Sequence, residues 1–220
     1  MERTIKVTGR GNINLKPDLT IIELRLTKVE EGYHNTLGRA TSDVAEVKNK
    51  LVELGFNRND LKTTYFNVNT EYQSYKDNNG NWATEFVGYR YNQTLKFSFD
   101  VDNKLLGKVL YALGGLKCSP KFDIIYTVKD DEEAKNLLLK DAVKDANRKA
   151  QIIAEASNLN LGDILSIDYS FMSVEFSERI FDNKMDLING EIGCNNSLNV
   201  DFEPDDIKAS DTITVLYAIK

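Results

Sequence analysis

With one histidine and two cysteines in 220 residues, this chain has little material for the commonest catalytic and metal-binding chemistry. His34, at the expected start of a helix, has no sequence neighbours that would complete a metal site or a Ser-His-Asp arrangement. Cys118 and Cys194 are too few for a zinc site and too far apart to suggest a disulfide framework, so both read as ordinary thiols. No apolar run approaches the roughly 20 residues a membrane helix needs, so no membrane span is expected. Positive charge is also short. The formal net charge is -6 and the pI is near 5.0, which gives nucleic-acid phosphate or an anionic bilayer nothing general to attract. The densest basic stretch, Lys140 to Lys149, is interrupted by Asp141 and Asp145 and reads as a solvated helix face. Met1-Glu2-Arg3-Thr4 lacks the positive start and apolar core of an export signal. With Met1 as the native start, the chain is expected in the cytoplasm.

What is present is an ordinary globular composition, 41% hydrophobic and 28% charged, enough for a full core in one domain spanning 1–220. Alternation at Thr4 to Gly9 and at Leu19 to Val29 predicts two strands, with Pro17 at a strand start or edge. Leu37, Ala40, Val44, Val47, Leu51 and Leu54 fall on one helical face, which Gly55 ends as a left-handed cap. Two long strands, Leu61 to Tyr75 and Trp82 to Asp100, flank Asn79-Gly80, whose tolerance of positive φ signals a hairpin. A short helix at Lys104 to Leu113 and a strand at Phe122 to Val128 follow. Asp130 caps a long alanine-rich helix with Glu133 at the capping-box position. Ile164 to Phe171 and Thr212 to Ile219 close the strand set. Between those two strands, 174–208 shows no sustained period and is expected as a mobile loop able to order against a partner. The fold class is α+β: a mixed, largely antiparallel sheet with two long helices and one short helix packed on it, arranged as two βαβ-like halves.

Apparent motifs fail for stated reasons. Gly9-Arg10-Gly11 opens like a dinucleotide fingerprint, but position 14 is Asn and no helix follows, so it reads as a strand turn. Asp77, Asn79 and Asn81 have calcium-loop spacing, but Trp82 stands where the turn glycine belongs and Gly88 where the bidentate glutamate belongs. The carboxylates of Asp130 to Glu133 and of Glu203 to Asp206 form no acid/base pair. No catalytic, cofactor or metal residues are therefore assigned. The aromatics on the hairpin mark a candidate self-association surface instead: Tyr72, Tyr75, Trp82, Phe86 and Tyr89, joined by Phe176 and Phe181 from the 174–208 loop.

Several segments together resemble the SIMPL (DUF541) family. They are Val7-Thr8-Gly9-Arg10-Gly11 with Lys16-Pro17-Asp18, Phe86-Val87-Gly88-Tyr89, the long Ala-rich helix, and the closing Glu203 to Val215 segment. The resemblance implies an α+β fold, ring-like homo-oligomers and a bacterial protein of unresolved role, with many relatives exported and loosely tied to stress responses. It supplies no catalytic residues. The expectation is a non-enzymatic protein that assembles with copies of itself and has no nucleic-acid partner. A small-molecule or peptide-binding module is the alternative, and an enzyme with an unrecognised site comes third. The ligand, if any, is unknown.

Overall fold

The structure is a computed structural model and describes residues 3–169, 176–179 and 202–220. In chain order the elements are β1 (Thr4–Leu15), β2 (Leu19–Glu30), α1 (Tyr33–Glu53), β3 (Lys62–Lys76), β4 (Trp82–Asp100), α2 (Asn103–Gly114), β5 (Lys121–Thr127), α3 (Asp131–Ala156), β6 (Leu161–Asp168), β7 (Ser177–Arg179) and β8 (Ile207–Ile219). The α+β class, the two long helices, the short one and the long hairpin are as the sequence predicts. The strands, however, divide between two sheets instead of sharing one, in the orders β1-β8-β6 and β3-β4-β2-β5-β7. Correspondingly, the chain forms two compact units: Met1–Asp18 with Thr127–Glu178 and Pro204–Lys220, and Leu19–Tyr126 with Arg179–Glu203. Most of 174–208, the expected mobile loop, lies outside the described residues.

The second unit is built from β2-α1-β3-β4-α2-β5. Antiparallel β4 lies between β2 and β3, so the two strands that α1 connects are separated by a third. That is the split βαβ arrangement of ferredoxin-like folds. Alternation sets the buried face: Ile22, Leu24 and Leu26 on β2 and Tyr91, Leu95, Phe97 and Phe99 on β4 point to the core. Thr36, Ala40, Asp43, Val47 and Leu51 of α1 meet them at helical spacing. α1 ends as predicted. Gly55 has φ +96, its N–H donates to Val52, and the Phe56 N–H reaches back to Leu51. This closing motif seats Phe56 edge-on against Phe97 and Phe99, so the helix stop also fills the core.

In the first unit, β8 is central, paired with β1 from Thr4↔Ala218 to Leu15↔Ile207 and with β6 on its other side. α3 begins where the sequence places it, with Asp130 accepting from the Glu133 N–H. Its alanines Ala142, Ala146, Ala150 and Ala154 are fully buried against Val7, Ile213, Val215 and Tyr217. Gly9-Arg10-Gly11 is no turn. The strand runs through it, because the two glycines let α3 lie directly on β1. A Cβ at Gly9 would sit 2.2 Å from the Ala142 carbonyl oxygen, and one at Gly11 would sit 2.1 Å from that of Leu138.

The helix also seals the strand it touches. Backbone N–H groups of Arg10 and Asn12, on the side of β1 away from β8, donate to the carboxylates of Asp145 and Asp141, both at 2.9 Å. One turn further on, Lys149 Nζ donates to the Thr8 carbonyl at 3.1 Å. Part of the Lys140–Lys149 face, expected in solvent, therefore works against β1. The Lys149 ammonium, the Arg10 N–H and Arg148 hold the Asp145 carboxyl well below the usual carboxylate range.

A candidate self-association surface on the β3–β4 hairpin

Hairpin geometry starts at its turn. Asp77 to Asn81 form a five-residue loop in which only Gly80, at φ +81, takes a left-handed conformation. Asn79 does not, contrary to the sequence expectation. The reason is Asp77, whose carboxylate accepts from the N–H groups of both Asn79 and Asn81 at 2.9 Å and holds a wider turn. Those backbone donors, Asn81 foremost, lower the Asp77 pKa. The residue that opened a calcium-like spacing is thus the carboxylate that builds the turn.

Behind the turn the strands pair from Lys76↔Trp82 to Lys62↔Lys96, with Val87 left out of register between Glu71↔Gly88 and Tyr72↔Phe86. Gly88 makes this bulge possible: its φ is +144, and a Cβ there would meet the Glu30 carbonyl at 2.3 Å. Beyond the bulge one face of the ribbon is aromatic. Tyr72 meets Phe86 edge-on at 5.7 Å, Phe86 meets Tyr89 at 5.4 Å, and Tyr89 meets Tyr33 of α1 at 5.4 Å. Trp82, 74% exposed, continues that face toward the tip under the Lys76 ammonium. The opposite face carries Glu71, which accepts from Arg90 at 2.8 and 2.6 Å in a two-point ion pair.

Of the predicted surface residues, then, Tyr72, Trp82, Phe86 and Tyr89 share a face. Tyr89 is only half-exposed, and Tyr75 is exposed on the other side. Phe176 is a correction: it is buried among Ala134, Leu138, Ile207 and Ala209 of the first unit. The small Ala134 on α3 and Ala209 on β8 leave room for a large ring, so its apolarity serves a core and not an exposed face. Phe181 lies outside the described residues. Sequence reasoning missed Tyr33, which extends the stripe from a helix, and the half-exposed Ile164, Leu165 and Ile167 of β6. Three large apolar residues within the uncharged stretch Ile164-Leu165-Ser166-Ile167 were the available signal for the latter.

Among the described residues no group of three His, Cys, Asp or Glu could hold a metal ion. His34 is exposed in the first turn of α1. Cys118 is buried, its backbone N–H donating to Glu46, and burial together with that nearby carboxylate pushes the thiol pKa up to about 12. At pH 8 the native thiol is therefore protonated. Cys118 should resist iodoacetamide until the protein unfolds, as read by mass spectrometry of the peptide containing it; labelling as fast as a free thiol would contradict the packing.

A family model described as SIMPL, protein of unknown function (DUF541), matches residues 5–217. A search of curated proteins returns no match.

Proposed function

The chain belongs to the SIMPL (DUF541) family, and from that footing we propose that it is a self-assembling protein whose β3–β4 hairpin docks on another copy. The observation that supports this reading is the aromatic face formed by Tyr72, Trp82 and Phe86, all exposed, on a ribbon whose strands reach 15 and 19 residues. Strands of five or six residues are usual, and a two-stranded ribbon has little stability in water without something packed on its apolar face. Aromatic side chains bury about 150–250 Å² each when covered and dominate interface energetics. The edge-to-face order fixes the rings in advance, which lowers the entropy cost of docking.

Light scattering of the intact protein at micromolar concentration tests the reading. A mass that is a multiple of 24.9 kDa is expected, and a monomer overturns it. Replacing Tyr72–Phe86 by a two-residue Asn-Gly turn should give monomers with unchanged far-ultraviolet circular dichroism per residue, because the core strands end on the near side of the bulge. An oligomer that survives the replacement would remove the hairpin from the interface.

A further inference from the structure

We infer that Asn79, in the turn of the β3–β4 hairpin, is a self-modifying site: with water as the only co-reactant it is converted to aspartate and isoaspartate, and the Asp77 carboxylate is the base that starts the reaction. The inference goes beyond the self-assembly reading and does not depend on it.

The sequence supplies the reacting pair. An asparagine side-chain amide can be attacked by the main-chain nitrogen of the next residue, which is one source of the thermal lability of asparagine. A side chain on that next residue stands in the way, and glycine has none. Among the described residues, Asn79-Gly80 is the one place where glycine follows asparagine.

The turn leaves this pair open. Both residues are exposed, and a Cβ built on Gly80 would meet nothing within 4 Å, so no neighbour crowds the nucleophile. The Asn79 backbone N–H is fixed to Asp77 Oδ1 at 2.9 Å, whereas its side-chain amide makes no hydrogen bond among the described residues. The main chain is anchored while the amide can swing onto Gly80.

Asp77 supplies the base. Its carboxylate accepts from the N–H groups of Asn79 and Asn81, and the Gly80 N–H is a further backbone donor acting on it. That N–H also donates to the Asp77 main-chain carbonyl at 3.0 Å. Both acceptors of one residue are thus within its reach, and a small shift from carbonyl to carboxylate places the proton on the group that can take it. The same donors hold the Asp77 carboxyl below its usual range, so the base is ionised at neutral pH.

The reaction then balances without an oxidant or reductant. As Asp77 takes the Gly80 proton, the Gly80 nitrogen bonds to Cγ of Asn79 and closes a cyclic imide. The bond from Cγ to the side-chain nitrogen breaks, and ammonia leaves with the proton returned from Asp77. Water opens the ring at Cγ to give aspartate, or at the main-chain carbonyl to give isoaspartate. Either product sets a second carboxylate beside Asp77, and isoaspartate also lengthens the main chain by a methylene. The loop that Asp77 organises loses its fit, and the strand ends at Lys76↔Trp82 loosen. The aromatic face beside the tip therefore changes with the age of the molecule.

The test incubates the intact protein in heavy-oxygen water near neutral pH, digests it in ordinary water and reads the peptides by mass spectrometry. Labelled aspartate and isoaspartate should accumulate at position 79 well ahead of Asn67 and Asn92, which precede Val68 and Gln93. Conversion at 79 no faster than at those two overturns the site. Asp77→Asn keeps an oxygen that can accept from Asn79 and Asn81 but removes the base. Conversion at 79 should then slow about tenfold, below the usual range for a positioned base because Asp77 is a weak one. The second Asn-Gly pair, Asn189-Gly190, has Leu187 where Asp77 stands in the first and should keep its rate. An undiminished rate at 79, or equal slowing at both pairs, removes Asp77 from the reaction. Trp82, the single tryptophan of the chain, reports the hairpin directly: its emission should change in step with conversion and stay constant in Asn79→Gln, whose longer side chain closes a ring far more slowly. Constant emission in fully converted protein would overturn the effect on the tip.

Discussion

Gly11→Val, and equally Gly9→Val, is expected to detach α3 from β1 and lower stability by at least about 3 kcal/mol, at the upper end of overpacking effects. Both clashes are with backbone, at 2.1 and 2.2 Å from helix carbonyl oxygens, so no side chain can rotate away. Relief requires the whole helix to move outward, which would open space under Ala142 and Ala146 and break the two bonds from Arg10 and Asn12. The sharp comparison is Gly38, where a Cβ meets nothing within 4 Å. Gly38→Ala sits inside α1 and should stabilise by about 0.5–1 kcal/mol. Urea titrations of the three variants read both signs, and hydrogen exchange at α3 amides locates the damage. A Gly11 variant within about 1 kcal/mol of the natural sequence would show that the helix does not pack as described.

The second large effect is expected at Asp43. This α1 residue is 2% exposed, accepts from the Tyr91 hydroxyl at 2.5 Å and pairs with Arg39 at 3.0 Å. Burial, and then the bond to Asp43, push the Tyr91 pKa far up, so the phenol stays a neutral donor across any working pH. Asp43→Ala strands that donor in the core and should cost about 2–4 kcal/mol. Tyr91→Phe removes the donor but leaves the carboxylate short of a partner. The double variant should therefore lose clearly less than the sum of the two single losses, since neither partner is then left alone. Additive losses in chemical denaturation would mean the pair is not coupled.

Much of this fold was legible in the residues because local rules and tertiary packing agree. Asp130 with Glu133, Gly55 after Leu54, and the alternation of Ile22, Leu24 and Leu26 each state their own structure. What escaped the sequence was set by distance along the chain. Gly9 and Gly11 read as a turn because their reason, α3, lies some 130 residues further on. The division into two sheets was hidden similarly, since β1 takes its partner from the last strand of the chain. For the candidate surface, the hairpin aromatics were readable from composition, but which of them share a face depends on the bulge at Val87. Phe176 illustrates the limit: a large apolar side chain in a polar stretch has the same appearance whether it fills a core or waits for a partner.

The carboxylates of Asp141 and Asp145 do more than hold a helix. They occupy hydrogen-bond positions that another strand would need beside β1, so on that flank the sheet ends where the helix seals it. This restriction has a pH window. Because the Asp145 pKa is lowered on folding, its contribution is fully present above the ordinary aspartate value of about 3.9 and fades as pH falls below it. As Asp145 takes up its proton it gives up its charge-assisted hold on the Arg10 N–H and on Lys149, and the seal along β1 weakens there.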